Sequence, residues 1–555
     1  MAITTFLSQS RIDEMTASGY WKNETLLDYF DQHVQQQPDR IAVVDHNSET
    51  GERTTLTYRQ LGQHVNQMAL GLIDLGVKPG NVVACQLPNW WQFLAIYLAT
   101  ARVGAAMNPL MPIFRHREVT YMMGFSEAKV AVVARSFRGF DYPKMMSEIR
   151  NDLPYLEEVL VIGGANNPGS FEKKLLGSAH RSEAEQAAIF AKCRLKPNDV
   201  TQLLYTSGTT GDPKGVMQTS NTLMACTQNF VRRFSLTNRD NFLMSSPLAH
   251  QTGFLVGTMI PMFLGSKAVF QDVWEADEAI RLVHDERIHF TMASTPFLSD
   301  MTNSSELKHT DTSHFRMFVT GGAPIPRVVA EEARKKLSCD VFGAYGMTEN
   351  LAVTVCGPGD SDAKIYETDG VVQPGVELRV VDSEGNEVAR GEEGEVQSRG
   401  SYNFCGYLKR QDLTEMAIDA DGWFSTGDLA RMDEDGYIRI TGRSKDILIR
   451  GGENVPVVEV ENLIYKHPSI VDAALVGIPD LRLGERGCLF VTTKSGEDFS
   501  LDEMKRYLGE NQMAKQYWPE WVEVVDELPR TLSGKIQKFK LRETALSFAD
   551  ALGAS

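Results

Sequence analysis

From about Trp21 to Phe190, short apolar runs alternate with stretches whose apolar positions recur three and four residues apart. Ile41–Asp45 reads as a strand. Thr57-Tyr58 opens a helix with apolar positions at Leu61, Val65, Met68, Ala69 and Leu72. Gly76 and Pro79-Gly80 stop that helix, and Val82–Leu87 reads as a buried strand. Pro88-Asn89 then introduces an apolar stretch, Trp90 to Ala101, which predicts a capped, buried helix. Lys129–Ala134 and Val159–Ile162 are further strand candidates, and the polar stretch Asn166–Gln186 reads as a surface insertion. The alternation resumes with strands expected at Asn241–Ser246, Lys267–Phe270, Phe290–Ala293, Met317–Val319 and Val341–Gly343. Such a pattern predicts parallel strands with helices on both faces.

Past about Val371 the texture changes. Val376–Val381, Glu395–Ser398 and Tyr437–Ile440 are short β runs separated by turn sequences such as Gly385-Asn386 and Asp435-Gly436. They predict a small β-rich subdomain. Beyond Gly442 a tail of roughly 110 residues is long enough for a compact α+β domain. Within it Pro456 opens a helix with Val457, Val460, Leu463 and Ile464 on one face, ending near Pro468. The fold class expected is α/β: a large N-terminal domain of doubly wound sheets with a β-rich subdomain, residues 1–442, and a small mobile α+β domain, residues 443–555. No internal repeat or low-complexity tract interrupts it.

Composition narrows the picture in three ways. A length of 555 residues exceeds one ordinary core, and 42 % hydrophobic with 23 % charged residues is a globular balance. The net charge of −17 argues against a general nucleic-acid binder and gives no polybasic membrane signal. Seven cysteines with no C-x-x-C pair predict reduced thiols and no structural zinc. The N-terminal residues lack the basic start and apolar core of a signal peptide. The Trp90–Ala101 stretch is too short to span a bilayer, so a cytoplasmic protein with at most peripheral membrane contact is expected.

The most distinctive stretch is Thr206–Gly215, T-S-G-T-T-G-D-P-K-G, which follows the apolar run Leu203-Leu204-Tyr205. Ten residues hold three glycines, four hydroxyl residues and one lysine. Such a loop suits either an ordinary turn or a polyphosphate cradle made of backbone N–H groups, hydroxyls and a cation. It is not a Walker loop, because Pro213 precedes Lys214 and Gly215 follows it. Downstream, Gly343-Ala344-Tyr345-Gly346-Met347-Thr348-Glu349 is placed by the pattern just after a strand. That is where α/β folds set ligand contacts, although a lone Glu there is also an ordinary surface carboxylate.

The Thr206 loop resembles the signature loop of adenylate-forming enzymes, the superfamily of acyl- and aryl-CoA ligases, luciferases and peptide-synthetase adenylation domains. Four further strings resemble that superfamily's motifs in its order, up to Lys538. The resemblance implies an ATP cradle of Thr206, Ser207, Gly208, Thr209, Thr210, Gly211 and Lys214. It implies an adenine and acyl wall at Thr320-Gly321-Gly322-Ala323-Pro324 and around Ala344, Tyr345 and Gly346. Thr348 would meet the α-phosphate and Glu349 would hold Mg²⁺, a hard cation that wants oxygen ligands. Asp428, in Ser425-Thr426-Gly427-Asp428, would accept from the ribose hydroxyls, with Ile440 and Arg443 beside the nucleotide. Lys445 falls on the hinge, Gly451, Gly452 and Glu453 on the loop of the CoA step, and Lys535, in Pro529–Lys538, on the adenylation lysine.

The implied chemistry is a carboxylate attacking the α-phosphate of ATP, so alignment and charge neutralisation carry catalysis. Thr206, Lys214, Glu349 and Lys535 are the catalytic set implied. Acyl-AMP and pyrophosphate form first; CoA then displaces AMP after the C-terminal domain rotates about the hinge. His250, Thr252 and Gly253 resemble the segment that shapes the acyl pocket, with His250 either lining the pocket or an ordinary core histidine. Phe254, Leu255, Met259, Met262 and Phe263 around them predict an apolar acid, although such clusters are usually core. Leu87-Pro88, Arg482-Leu483-Gly484-Glu485-Arg486 and Leu528-Pro529-Arg530-Thr531 resemble bacterial short- and medium-chain acyl-CoA synthetases and cyclohexanecarboxylate–CoA ligases. The expected partners are a short-chain, medium-chain or alicyclic carboxylic acid, ATP and CoA, with the enzyme a monomer or homodimer. An aryl-acid ligase, or an enzyme loading a carrier-protein phosphopantetheine, stays open.

Overall fold

Near-continuous hydrophobic runs need cover on both faces, and Val82–Gln86, Ala106–Pro109 and Val130–Ala134 are buried along their whole length. They form the parallel centre of a six-stranded sheet. Its order is Lys214–Thr219, Val200–Thr206, Ala106–Pro109, Val82–Gln86, Val130–Ala134, Glu158–Ile162. The computed structural model describes residues 3, 5–163, 169–177, 181–206, 213–321, 327–443, 448–450, 453–480, 484–494, 497–511, 513–531 and 534–551. A second, nine-stranded sheet has a six-strand parallel core: Asp340–Met347, Met317–Gly321, Phe290–Ala293, Phe242–Met244, Ala268–Gln271 and Ile41–Asn47. The parallel arrangement expected from the sequence stops at the edges. Glu52–Thr57, Leu351–Val355, Val371–Val372 and, in the other sheet, Lys214–Thr219 all pair antiparallel. For Glu52–Thr57, Leu351–Val355 and Lys214–Thr219 the connection to the neighbouring strand is too short for the crossover that parallel pairing needs.

The helix Trp91–Arg102 is buried at every position except Gln92, which explains its lack of a polar face. Its N-terminus is not capped by Asn89 as expected. The Asp45 carboxylate on the neighbouring strand accepts from the Trp91 N–H at 2.9 Å. Asn89 instead donates to the carbonyls of Met244, Ser246 and Gln271 and accepts from Leu248 N–H, tying together the carboxyl ends of three segments. The helix Tyr58–Asp74 starts at a Thr57–Gln60 capping box and buries Leu61, Val65, Met68, Ala69 and Leu72.

Asn166–Gln186 is not simply a surface insertion. Phe171 and Leu175 are fully buried, and the π-helical turn Glu172–Leu176 lies on the helix Tyr58–Asp74. The approach is so close that a Cβ on Gly71 would lie 2.6 Å from the Lys174 carbonyl oxygen. Two apolar residues four apart are enough to dock the segment, and the polar majority hides them.

After residue 375 a four-stranded antiparallel sheet follows: Val376–Val381, Glu393–Gly400, Phe424–Met432 and Ile438–Arg443. The expected turns have Gly385 at φ +86° and Gly436 at φ +81°. The C-terminal part builds a five-stranded sheet from Leu448–Arg450, Glu453–Val455, Ile470–Asp480, Gly484–Thr493 and Trp521–Val524. Val457–Ile464 packs on it through Val457, Val460 and Ile464, with Pro456 at the N-cap. All seven cysteines are free thiols, six of them buried. Among the described residues no helix is long and apolar enough to cross a membrane.

Candidate active site

The antiparallel pairing of Val200–Thr206 with Lys214–Thr219 sets Thr206 opposite Lys214 and brings both ends of the glycine-rich loop together. Facing them is the end of the strand Asp340–Met347. The strand runs four residues further than the sequence suggests, so Tyr345, Gly346 and Met347 lie on it rather than after it. Antiparallel pairing with Leu351–Val355 extends it, with a bulge between Tyr345 and Gly346. Only glycine fits there, since a Cβ on Gly346 would lie 1.5 Å from the Leu351 carbonyl oxygen.

The tight return places Glu349 in the interior, 7 % exposed. Its Oε1 accepts from Thr206 Oγ1 at 3.3 Å and from Tyr407 Oη at 3.1 Å, and its carbonyl accepts from Phe404 N–H at 2.7 Å. Lys214 Nζ stands 4.8 Å from the centre of the Tyr407 ring. Burial pushes the Glu349 pKa up, against the pull of the Tyr407 and Thr206 hydroxyls and the Lys214 ammonium. Next to it the Thr348 carbonyl accepts from Gln218 Nε2 at 2.9 Å. Three of the expected groups, Thr206, Lys214 and Glu349, therefore meet. Tyr407, which sequence reasoning missed, joins them. The only signal for it is an aromatic residue directly after Gly406, whose φ is +101°.

A second group forms where the four-stranded sheet meets the nine-stranded one. Asp428 is 4 % exposed and accepts from Tyr345 Oη at 2.9 Å and from Arg443 Nε at 2.8 Å. The register Asp428↔Arg443 across Phe424–Met432 and Ile438–Arg443 makes that pairing. Ile440 lies three residues before Arg443 on the same strand, packed against the small sheet's core, its N–H donating to Asp369 Oδ2 at 2.8 Å. Gly321 lies opposite Ala344, and a Cβ on it would come 2.7 Å from the Ala344 carbonyl oxygen.

A third group forms around His250. His250 caps the short helix Gln251–Gly253, with its Nδ1 accepting from Thr252 N–H at 3.4 Å. Gly253 is pressed against the Pro247 carbonyl, where a Cβ would lie at 2.1 Å. Burial holds the His250 pKa down to about 4, and the Lys535 ammonium pushes it the same way. Phe254, Leu255, Met259 and Met262 are buried in the large core, and Phe263 packs on Tyr29 at 4.6 Å.

Lys535 reaches this place from the C-terminal part of the chain. A bridge between Arg530 and Ile536 closes a hairpin, within which Thr531 N–H donates to the Lys535 carbonyl at 2.8 Å. Arg530 is ion-paired with Asp472. Gly534, at φ +82°, sits directly on Ser294 at the start of the helix Thr295–Thr302; a Cβ there would lie 2.2 Å from Ser294 Oγ. The hairpin is thus seated on the N-terminal part, beside the His250 segment. Ser207, Gly208, Thr209, Thr210, Gly211, Gly322, Ala323, Lys445, Gly451 and Gly452 lie outside the described residues. Of Glu453, only the backbone is described, paired with Arg450.

The polar groups gather beside strand ends of two mixed sheets covered by helices, an α/β architecture. The chain belongs to the AMP-binding enzyme family, whose main domain matches residues 30–408 and whose C-terminal domain matches residues 459–535. It is 36 % identical to the medium-chain fatty-acid–CoA ligase of Escherichia coli (strain K12) over 98 % of this chain and 94 % of that protein. It is 33 % identical to a 3-[(3aS,4S,7aS)-7a-methyl-1,5-dioxo-octahydro-1H-inden-4-yl]propanoyl:CoA ligase of Rhodococcus jostii (strain RHA1), over 88 % and 93 %. Among solved structures, the anthranilate CoA ligase AuaEII in complex with anthranoyl-AMP superposes with a TM-score of 0.85 at 25 % identity, covering 95 % of this chain and 98 % of that one. ATP-bound MatB from Rhodopseudomonas palustris gives 0.82 at 28 %, covering 94 % and 99 %.

Proposed function

We propose that the protein is an ATP- and Mg²⁺-dependent carboxylic acid–CoA ligase acting on a medium-chain or alicyclic acid. The observation that carries the reading is the meeting of Glu349, Thr206 and Lys214, together with the approach of Lys535 to His250. In the first step the acid's carboxylate attacks the α-phosphorus of ATP, forming acyl-AMP and releasing pyrophosphate. Two anions must approach, so the residues act by alignment and charge. Lys214 and the Thr206 hydroxyl, with Ser207 through Gly211, hold the phosphates. Lys535 offsets the charge gathering between carboxylate and α-phosphate, and Thr348 orients that phosphate. Asp428 accepts from the ribose hydroxyls, with Arg443 and Ile440 alongside, and Gly321, Gly322, Ala323, Ala344, Tyr345 and Gly346 leave a flat slot for adenine. His250 stays neutral at physiological pH and lines the acyl pocket with Thr252 and Gly253.

Among the described residues there is no group of three His, Cys, Asp or Glu that could cage a metal by itself. One buried carboxylate and a hydroxyl suit a Mg²⁺ that takes its remaining ligands from phosphates and water. Bound there, Mg²⁺ would neutralise phosphate charge; Glu349 would be its protein ligand.

In the second step a thiol, CoA, displaces AMP. The chain divides into residues 1–442 and 443–555, and Lys445 is the hinge. Rotation there withdraws Lys535 and brings Gly451, Gly452 and Glu453 to the thiol's path. The names of the E. coli and R. jostii relatives support a medium-chain or alicyclic acid. The anthranilate ligase, and a Streptomyces salicylyl-CoA synthase / salicylate adenylyltransferase at 30 % identity, favour an aryl acid as the second reading. Cytoplasmic placement agrees with this chemistry. The test is pyrophosphate release with Mg-ATP over straight-chain, alicyclic and aromatic acids, each with and without CoA. Release on medium-chain or alicyclic acids, raised by CoA and yielding AMP, is expected. Release without CoA stimulation points to a carrier-protein acceptor, and no release with any acid overturns the reading.

A further inference from the structure

The match to the family's main domain begins at residue 30, and the segment before it reaches far across the chain. Arg11, on the helix Gln9–Ala17, directs its guanidinium at three main-chain carbonyls: Gly400 and Phe404, each at 3.1 Å, and Asn403. Phe6 N–H donates to the Cys405 carbonyl at 2.9 Å, and Trp21 Nε1 donates to the Ser401 carbonyl at 3.1 Å. The Phe6 ring lies over Gly406, where a Cβ would come within 2.3 Å of it. The Arg11 guanidinium also stands 5.4 Å from the Trp21 ring centre, so the strap closes on itself.

The hydrogen bonds of Arg11, Phe6 and Trp21 all fall on Gly400–Cys405, just past the strand Glu393–Gly400. That stretch delivers Tyr407. On its other side Phe404 N–H holds the Glu349 carbonyl, Cys405 N–H bonds Met217, Met217 N–H bonds Gly406, and Leu408 N–H bonds Gly215. Tyr407 is 3 % exposed and packs with Phe404, Phe424 and Val216, so its ring has one position. From it, the hydroxyl reaches Glu349 Oε1 and the ring face receives Lys214 Nζ.

We propose that Tyr407 is a positioning residue that fixes both Glu349 and Lys214 for the metal–triphosphate, and that Phe6–Trp21 is the strap that holds Tyr407 in place. The inference rests on the reading of Glu349 as the Mg²⁺ ligand. A group that orients a metal-binding carboxylate sets its affinity without touching the metal. Tyr407→Phe keeps the ring and its packing and removes only the hydroxyl. Arg11→Met keeps a long side chain and removes the three carbonyl contacts.

The test is calorimetric binding of ATP to the full-length protein, with and without Mg²⁺ and with neither acid nor CoA, alongside thermal unfolding. In the wild type Mg²⁺ is expected to tighten ATP binding. Tyr407→Phe should reduce that gain by roughly tenfold, with metal-free ATP affinity and unfolding temperature unchanged. Arg11→Met should lower the unfolding temperature and reduce the Mg²⁺ gain as well. An undiminished gain in Tyr407→Phe overturns the proposal while leaving the ligase reading intact. A lower unfolding temperature in Arg11→Met with the full gain overturns the strap. Absence of any gain in the wild type overturns the Glu349 assignment on which both rest.

Discussion

His250 and Lys535 show how a residue's chemistry is set by neighbours far away in the chain. Burial and the Lys535 ammonium depress the His250 pKa from 6.5 to about 4. The unfolded chain therefore binds a proton between those two values that the folded protein refuses. Stability is unaffected above pH 6.5 and falls as pH drops through the window. His250→Gln removes this term, so the advantage of the wild type over that variant in thermal unfolding should shrink between pH 7 and pH 5. Lys535 carries a sharper expectation. Lys535→Ala should slow acyl-AMP formation by about a hundredfold or more, the scale of losing a charge aimed at a reacting anion. Conversion of supplied acyl-AMP to thioester should persist. Equal loss in both half-reactions, followed by stopped assays of each, would show that the lysine serves the fold instead.

At the scale of elements, the molecule uses short insertions to finish surfaces that its sheets leave open. The turn Glu172–Leu176 covers the helix Tyr58–Asp74 with Phe171 and Leu175. Leu175→Ala should cost about 2–4 kcal/mol of stability, read as a lower urea midpoint, because the closely seated turn cannot collapse onto the hole. The edge hairpins act likewise at the site. Pairing of Lys214–Thr219 with Val200–Thr206, and of Leu351–Val355 with Asp340–Met347, turns the ends of two strands back so that Thr206, Lys214 and Glu349 meet.

For the whole molecule, the decisive contact is the hairpin of Lys535 seated on Ser294 through Gly534. On the proposed ligase reading this arrangement suits adenylation, and the proposed rotation at Lys445 would lift the hairpin away for the thioester step. Lys445→Pro fixes φ near −65° at the proposed hinge. The thioester step should fall by roughly tenfold or more, with acyl-AMP formation kept, when each half-reaction is timed separately. An unchanged thioester rate would remove Lys445 from the hinge.

The chain's own order determined most of the architecture. Buried strands such as Val130–Ala134 and the helix Tyr58–Asp74 were legible because burial on both faces, or on one, leaves a local period in the residues. The Tyr345–Glu349 string was legible because the close backbone approach at Gly346 admits only glycine. Only tertiary structure decided that Asp45, not Asn89, caps the helix Trp91–Arg102, and that the strand before Glu349 runs on to Met347. It also decided that Tyr407 joins Glu349 and Lys214, and that Phe6–Trp21 holds its loop. Each of these is a contact between residues tens to hundreds of positions apart, or a strand extended by its partner. No local period records such a contact, because its energy belongs to the pair and not to either stretch alone.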